Sequence, residues 1–424
     1  MTTQASRART VLAGSSGIAI AMGVMNVATY GYTIVAARLL GPRSYGAFAA
    51  VMGLLIVVGV LQLGLQATGA RRIAAAPTDV VEIERTLLRV NYRAAAALGV
   101  LCLVLTPAIN SGLHLHNLGT AVLVALTAVP MTVMGGQAGI LQGERRWLPL
   151  SAMYLAAGVP RLVVGTALLV WHPTEFLAVL GVAIGFLAPL VVGWLALRRP
   201  RAEKDALTSG EHGDRSVIVE TLRNSHALLA FFALSNADVI VARGVLDGHE
   251  SGLYAGGLIL VKAVLFLPQF VVVIAFPSMS TESARRDALV KSLTLIFGLG
   301  VVVTVAAWAL NGLTLIFIGG HEYAAIQGSL WRFALLGTLL SMLQLLVYSV
   351  VARQSHGTIY LIWAALVTVV AGAQLTHDVQ ALVNLVSAVD GVLLLVLLGL
   401  TLWRLGGRTP AEVSTALDQP DSLG

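Results

Sequence analysis

The fold is decided by a short stretch that joins two long apolar runs, Ala37-Arg38-Leu39-Leu40-Gly41-Pro42-Arg43-Ser44-Tyr45-Gly46-Ala47-Phe48-Ala49. A looser copy follows at an offset of about 205 residues, Ala242-Arg243-Gly244-Val245-Leu246-Asp247-Gly248-His249-Glu250-Ser251-Gly252-Leu253-Tyr254-Ala255. Each copy contains Ala-Arg, a turn rich in glycine, and then Gly, one residue and an aromatic residue. Both lie between the first and second apolar runs of their half of the chain, which indicates two related halves.

Composition places the chain in a membrane. Its 424 residues are 57% hydrophobic and 11% charged, with a mean hydropathy of +0.85, whereas a soluble protein carries roughly a quarter charged residues. Apolar runs of about 20 residues recur, each long enough to cross a bilayer core of about 30 Å as a helix. The basic segment Met1 to Thr10 precedes a run too long for a cleavable signal. The single Cys102 permits no intramolecular disulfide.

The pattern predicts twelve spans, at 13–37, 45–69, 88–109, 118–141, 147–171, 176–197, 222–246, 252–277, 288–310, 324–351, 358–376 and 380–403. Most Lys and Arg residues fall in one alternate set of loops, and the opposite set contains only Arg38, Arg43 and Arg243. The positive-inside rule therefore predicts a cytoplasmic location for both termini. The net charge of +6 follows from this topology, so we expect no nucleic-acid partner.

The predicted fold is all-α, with two six-helix bundles related by a pseudo-twofold axis along the membrane normal. The predicted domains are the N-terminal bundle 1–197, a cytoplasmic linker 198–221, the C-terminal bundle 222–406 and a mobile tail 407–424. Asp79 and Glu82 have capping-box spacing, so Pro77 to Arg93 is predicted to lie at the inner surface and run into the third span. Small residues four apart predict close helix packing, as at Gly135, Gly139 and Gly143.

Motifs for enzymatic chemistry are absent from the sequence. It has no G-x-x-x-x-G-K-[ST], no H-E-x-x-H and no Cys/His metal spacing, and no loop is long enough for a catalytic domain. His114 and His116 are interpreted as solvated loop residues. We therefore predict that the protein is not an enzyme and has no catalytic residues, metal site or cofactor.

Five ionisable residues are predicted at membrane depth: Arg161, Asp238, Lys262, Arg332 and Asp390. Each costs about 2.5–3.5 kcal/mol at mid-bilayer, so each needs a structural or functional reason. At about 1.5 Å per residue, Asp238 lies about 13 Å and Lys262 about 16 Å below the outer hairpin, on adjacent antiparallel helices. They are predicted to pair or to share a hydrated cavity, and internal ion pairs that hold helices together are the structural alternative.

The deep charges leave a net positive charge, and Arg38 and Arg243 add positive charge at the outer mouth. A cavity of that sign suits an anionic headgroup, because Arg and Lys are the usual partners of phosphate. Snorkelling to the interface is the alternative for Arg38 and Arg243.

Two hairpins resemble the Wzx-type polysaccharide export flippases of the multidrug/oligosaccharidyl-lipid/polysaccharide superfamily. The first half contributes Ala37-Arg38-Leu39-Leu40-Gly41-Pro42 and Tyr45-Gly46. The second contributes Asn236-Ala237-Asp238, Gly252-Leu253-Tyr254, Leu267-Pro268-Gln269 and Phe276-Pro277. The resemblance implies two bundles around a central cavity, with basic residues that hold a pyrophosphate. The matching residues here are Arg38, Arg243 and Lys262, with Arg161 and Arg332 as further candidates.

Two departures from the family pattern bear on the substrate. Lipid II flippases of the same superfamily resemble fourteen-span proteins, and this chain has twelve predicted spans. Thr33 and Ile56 align with Asp238 and Lys262, so substrate binding is expected to be asymmetric.

The resemblance implies a transporter that flips a polyprenyl-pyrophosphate-linked oligosaccharide across the cytoplasmic membrane by alternating access, for cell-surface polysaccharide biosynthesis. Its expected partners are the lipid-linked glycan, the bilayer and a glycan polymerase or glycosyltransferases. Asp238 and Asp390 are candidates for ion coupling or for an ion pair. An ion-coupled multidrug antiporter and a non-transporting scaffold of a glycan-assembly complex are the two alternatives.

Overall fold

The computed structural model describes residues 2–198, 214–266, 282–351 and 356–406, and within these ranges every regular element is a helix. The first half contains α1 (Thr2–Val58), α2 (Val60–Ala75), α3 (Val80–Val104), α4 (Thr106–Gly112), α5 (Leu118–Gly143), α6 (Trp147–Trp171) and α7 (Glu175–Leu197). The second contains α8 (Asp214–Val245), α9 (Gly248–Val264), α10 (Glu282–Ala309), α11 (Asn311–Ile318), the 3-10 helix His321–Ser329, α12 (Leu330–Val351), α13 (His356–Ala373) and α14 (Val379–Gly406).

The predicted fold class is confirmed. Among the described residues, 9 helical stretches are long and apolar enough to cross a membrane. The first of them, Gly17–Ala75, covers two predicted spans because the chain reverses at Gly41. The predicted span 358–376 matches the shorter apolar helix α13, and α9 covers the first half of the predicted span 252–277, of which residues 267–277 lie outside the described residues.

The two repeated hairpins make the same turn with different residues. Gly41 has φ 66° and ψ 170°, a conformation that glycine adopts without steric cost, and Pro42 begins the next helix with its fixed φ. In the second hairpin the Asp247 carboxylate caps α9 by accepting the backbone N–H groups of His249 (2.7 Å) and Glu250 (2.9 Å). The turn is conserved between the halves although its local chemistry is not.

Equivalent glycines of the two hairpins meet at the interface between the halves. A Cβ atom on Gly46 would lie 2.9 Å from the Cα atom of Gly252, and a Cβ atom on Gly252 would collide with the Pro42 carbonyl. The aromatic residues that follow these glycines, Phe48 and Tyr254, are fully buried. This contact between equivalent positions is what a pseudo-twofold axis between the halves requires.

Each half packs mainly against itself, and the halves share one seam. In the first half α6 packs on α1 and α7, and α5 packs on α2, α3 and α7. In the second half α12 packs on α9, α10 and α14, while α13 packs on α8. The seam is formed by α1 with α8 and α9, and by α2 with α8.

The predicted glycine steps are helix-packing positions. A Cβ atom at Gly135 or Gly139 would collide with the α2 backbone at Gln62 or Gln66, and one at Gly143 would meet Ile73. Glycine therefore lets α5 approach α2 at backbone distance.

Helix α3 is continuous from the predicted surface segment into the third span. It begins after Asp79, the predicted N-cap, although the Asp79 side chain makes no capping hydrogen bond. Helix α8 already begins at Asp214, inside the segment predicted as linker. The predicted tail 407–424 lies outside the described residues.

Two ends of the molecule are distinguished below. The hairpin end carries the turns at Gly41 and Asp247. The basic end is the opposite one, where α2 and α3 present Arg71, Arg72, Arg89 and Arg93; the positive-inside rule predicts that it faces the cytoplasm.

Candidate functional site

A cavity of about 250 Å³ lies on the seam between the two halves. Its wall combines polar and aromatic side chains of α1 with residues of α8 and α9. The lining residues are Asn26, Thr29, Tyr30, Thr33, Tyr45, Phe48, Ala49, Met52, Gly53, Ile56, Asn236, Val239, Ala255, Leu258, Ile259, Lys262 and Phe266.

Lys262 is the one charged side chain in this lining, within the part of the chain that the structure describes. Its Nζ donates a hydrogen bond to Asn236 Oδ1 at 2.8 Å. Thr33 and Ile56, the predicted counterparts of Asp238 and Lys262 in the first half, also line the cavity. The cavity therefore has one cationic wall, contributed by the second half.

Asp238 makes contacts inside the C-terminal half and forms no direct ion pair with Lys262. It is buried, and its carboxylate accepts hydrogen bonds from the Tyr254 hydroxyl (3.0 Å) and the Val239 N–H (2.8 Å). Asp390 is also buried, lies within electrostatic reach of Asp238 and Tyr254, and has no hydrogen-bond partner for Oδ1. Both acids are thus buried in the C-terminal half, and neither is among the residues that line the cavity.

The two hairpin arginines each bond to the opposite half. Arg243 is buried; its Nε donates to the Leu113 carbonyl (2.9 Å), Nη2 to the His114 carbonyl (3.0 Å) and Nη1 to Ser251 Oγ (3.1 Å). Arg38 is exposed and donates one bond, from Nη2 to the Ile316 carbonyl at 2.6 Å. Both arginines, predicted as substrate contacts, are engaged in closing the hairpin end in this conformation.

The acceptors of these bonds are equivalent in the repeat. Leu113 follows α4 and Ile316 lies in α11, and each short helix comes after a break at Leu105 or Leu310 that ends the preceding span. The Leu113 turn is fixed by Glu175, which accepts from the His116 N–H at 2.8 Å and contacts His116 Nδ1 at 3.0 Å. His116 was predicted to be a solvated loop residue, and no sequence motif identifies this contact.

The remaining predicted cations lie away from the cavity. Arg161 is 6% exposed, stacks over Phe186 at 4.6 Å, and its Nε has no hydrogen-bond partner. It is in the middle of α6, inside the N-terminal bundle.

The prediction that Arg332 lies as deep as Asp390 is wrong. Arg332 is in the first turn of α12 and donates to Gln380 Oε1 at 3.2 Å, at the start of α14. Asp390 lies ten residues further along α14, about 15 Å deeper. Residues 324–329, predicted as the start of the membrane helix, belong to a 3-10 helix, which places Arg332 near the hairpin end.

The basic end is closed by ion pairs that the sequence reading missed. On α2, Arg71 and Arg72 both bond to Glu220 of α8, with Arg72 Nε at 2.7 Å from Oε2. On α3, Arg93 Nη1 lies 2.7 Å and Arg89 Nη1 3.4 Å from the Asp214 carboxylate. We name these four residues the arginine cluster: Arg71, Arg72, Arg89 and Arg93. Their clustering in the sequence was visible, but the pairing needs the packing of α8 on α2 and α3.

Burial alone would raise the pKa of Glu220, but hydrogen bonds from Arg71 and Arg72 outweigh it and hold the pKa below its usual value. Glu220 is therefore ionised at neutral pH, and its contact with α2 is intact there.

Solved structures with the same architecture are all distant in sequence. The lipid II flippase MurJ, in an inward closed conformation, superposes with a TM-score of 0.68 at 12% identity, over 91% of this chain and 87% of that one. The eukaryotic MATE transporter AtDTX14 gives 0.62 at 14% identity, over 92% and 95%. An inward-facing multidrug-resistance MATE transporter of the MOP superfamily gives 0.61 at 15%, over 90% and 94%.

Fold and apolar helices together define the class, a multi-pass membrane protein with the same fold as solved transporters of the MOP superfamily. The family's sequence profile matches residues 11–283, and the chain belongs to the polysaccharide biosynthesis protein family. No curated protein matches the sequence.

Proposed function

We propose that this protein flips a polyprenyl-pyrophosphate-linked oligosaccharide across the cytoplasmic membrane for cell-surface polysaccharide biosynthesis. The observation that supports this most is the cavity on the seam, with Lys262 as its cation, between two ends that contacts across the halves close. A cation and hydrogen-bonding groups inside an apolar protein suit a phosphate ester that carries a sugar. The family match is consistent with this substrate class.

The volume of the cavity supports alternating access. About 250 Å³ is below the roughly 300–1,000 Å³ that drug-sized ligands occupy, and a lipid-linked oligosaccharide is larger than such ligands. One end must therefore separate before substrate enters. Among the polar contacts that close the basic end, the ion pairs of Arg71, Arg89 and Arg93 are solvent-exposed and therefore separate at small free-energy cost.

All the predicted site residues except Arg161 have a place in this cycle. Lys262 contacts the pyrophosphate in the cavity. Arg38 and Arg243 release their carbonyls when the hairpin end opens and then face the leaving headgroup, with Arg332 at the same end. We assign Arg161 no substrate contact in this conformation, because it lies outside the cavity lining.

We assign ion coupling to Asp238 and Asp390. Both carboxylates are buried, and among the described residues neither forms a direct salt bridge, so each is a candidate to bind a proton or a monovalent cation during the cycle. Asp238→Asn should leave the protein folded and abolish the stimulation of export by the ion gradient. Unchanged gradient dependence in proteoliposomes would contradict this role.

The two alternatives make different predictions. A drug antiporter for cations should have an acidic, aromatic-rich cavity. The lining does contain Tyr30, Tyr45, Phe48 and Phe266, but its charged residue is a lysine. A scaffold without transport activity should support glycan assembly after the deep charges are replaced by apolar residues.

The decisive experiment compares two lysines. Lys262→Gln should abolish glycan export in cells and lipid-linked oligosaccharide flipping in proteoliposomes. Lys291→Gln, the same change at an exposed position of α10, should leave both at the wild-type level. Wild-type flipping by Lys262→Gln, at matched membrane abundance, would reject the cavity as the headgroup site.

A further inference from the structure

The basic end carries a concentration of guanidinium groups that exceeds what its closure needs. Asp214 and Glu220 are each shared by two members of the arginine cluster, so four guanidinium groups face two carboxylates. Arg72 also donates to Ser216 Oγ at 3.0 Å. All four arginines belong to the first half, and both acids belong to α8 of the second half. Separation of the halves at this end would therefore leave the arginines together and without their partners.

Three of the four arginines are accessible even in the closed conformation, and the fourth, Arg72, is 13% exposed. The side chains of Arg71, Arg89 and Arg93 are 52%, 57% and 71% exposed. Each guanidinium group offers five donors in a planar fork, and only some of these are used by the carboxylates. The same fork binds two oxygens of a phosphate at once, so a diphosphate is a competing ligand of matching geometry.

A seam of small and hydroxyl residues leads from the cluster toward the cavity. Along α2 and α8, Gly64 packs against Ser225, and the Thr221 hydroxyl donates to Thr68 Oγ1 at 3.3 Å. Ser225 Oγ is buried and has no hydrogen-bond partner. These hydroxyl groups can bind water or a polar ligand when the seam opens, although opening also exposes the buried Val217 side chain of α8.

The seam connects two cationic positions at different depths. Glu220 and Asn236, the partner of Lys262, are separated by sixteen residues of α8, about 24 Å along the helix axis. An anionic headgroup that enters at the basic end therefore meets the arginine cluster before it meets Lys262.

We infer that the arginine cluster is the receiving site for the diphosphate headgroup of the lipid carrier, which displaces Asp214 and Glu220 as the basic end opens. This inference rests on the proposed function. The displaced carboxylates compete with the ligand in the closed form, and the headgroup supplies the counter-charge that stabilises the open form. The same guanidinium donors thus bind the carboxylates of Asp214 and Glu220 in the closed form and the headgroup in the open form.

The experiment measures binding to the full-length protein in detergent micelles by isothermal titration calorimetry. The probe is a short-chain polyprenyl diphosphate. The double variant Arg71→Gln/Arg72→Gln should weaken its affinity about tenfold, and Glu220→Gln should tighten it severalfold by removing the competitor. The matched control is Arg215→Gln/Arg223→Gln, two exposed arginines at the same end of α8, which should bind like the wild type.

Loss of folding is excluded by a charge-preserving variant. Arg71→Lys/Arg72→Lys keeps the positive charge but loses the fork, so it should bind with intermediate affinity. Wild-type affinity in the Gln/Gln variant, or weaker binding in Glu220→Gln, would overturn the inference.

Two further titrations identify the source of the phosphate. Inorganic diphosphate should bind more weakly than the lipid diphosphate, and equal arginine-dependent affinity for both would indicate a soluble anion and reject the lipid assignment. Phosphatidylglycerol in nanodiscs should not compete at equimolar concentration; full competition would indicate a general membrane-surface contact and also reject it.

The result is separable from that of the proposed function. If Lys262→Gln abolishes export while the cluster variants bind normally, the receiving site is wrong and the flippase proposal stands. If the cluster binds as expected but Lys262→Gln exports normally, the cavity assignment is wrong and the receiving site stands.

Discussion

The two halves share a frame and differ in the charges placed inside it. Equivalent glycines meet at the seam, and equivalent arginines reach across it to equivalent turns. In contrast, the buried charges lie at different positions in the two halves: Glu84, Arg161 and Glu175 in the first, and Asp238, Arg243 and Asp390 in the second. Backbone geometry has been retained in both copies, and the ionisable chemistry has not.

The difference shows where the two copies were free to diverge. The glycines at the seam admit no Cβ atom, so any substitution there moves the halves apart. At the cavity wall, Thr33 and Ile56 occupy the positions that correspond to Asp238 and Lys262, and α1 still packs against α8 and α9. The charged residue of the described cavity lining, Lys262, therefore belongs to the second half, and the first half supplies most of the aromatic and hydroxyl side chains.

The sharpest way to break this comparison moves the cation to the other half. In a Lys262→Gln background, Ile56→Lys places an ammonium group at the equivalent position of the same cavity. If the cavity needs one cation and not a particular helix, glycan export should return from background to a measurable fraction of wild type. The control is Ile56→Gln in the same background, which should remain inactive. Failure of Ile56→Lys, at normal membrane abundance, would mean that the Asn236 contact is also required.

The two hairpin arginines should contribute unequally to closure of the hairpin end. Arg243→Gln removes several charged hydrogen bonds from a buried position and should destabilise closure by about 2 kcal/mol, against 1 kcal/mol or less for exposed Arg38→Gln. Spin labels at Ser111→Cys and His249→Cys, in a Cys102→Ala background, report the distance across this end. Equal changes of this distance in the two variants would show that the burial of Arg243 does not make its contacts stronger than those of Arg38.

Replacement of the buried Arg161 should not destabilise the fold. Its Nε lacks a hydrogen-bond partner, so Arg161→Met removes a desolvated charge and keeps the packing on Phe186; the melting temperature should stay equal or rise by a few degrees. Asp238→Leu leaves the Tyr254 hydroxyl without its hydrogen-bond acceptor and should lower the melting temperature. These values follow from thermal unfolding in detergent, and a fall for Arg161→Met would indicate a partner for the guanidinium group.

The smallest expected effect is the pH dependence of the basic end. The pKa of Glu220 is depressed by its arginines, so its contribution is complete above the ordinary carboxyl value and is lost as pH falls through the depressed one. The distance between labels at Thr78→Cys and Val219→Cys should stay constant from pH 8 to about 5 and lengthen only below about 4. Glu220→Gln should remove the response. A transition near pH 6 would assign closure to a different group.

The sequence was sufficient to predict the helical framework, because the length of an apolar run and the repeated hairpin both depend on local chemistry. The span 147–171 coincides with α6, and the copies around Gly46 and Gly252 occupy equivalent positions. Depth along a helix was predictable from residue counts at about 1.5 Å each, which placed Lys262 and Asp390 well inside the bundle.

The side of a helix from which a given side chain projects was not predictable in the same way. Asp238 and Lys262 have similar depth, yet Asp238 bonds to Tyr254 and Lys262 to Asn236, because their side chains leave their helices at different angles. The predicted depth of Arg332 was wrong for another reason, because a 3-10 helix occupies residues that were counted as the start of a continuous span. The Glu220 contacts required the docking of α8 against α2, which involves residues far apart in the sequence.

The glycine contact at the hairpin end limits how the two halves can move relative to one another. As long as the hairpin end stays closed, Gly46 and Gly252 hold the two backbones together, so an opening of the basic end would rotate the halves about an axis near these glycines. The 32 residues of α8 extend about 48 Å from there to the basic end, so a rotation of about 10° displaces that end by about 8 Å. A small rotation about the hairpin end would thus open the basic end by about the width of a diphosphate with its first sugar.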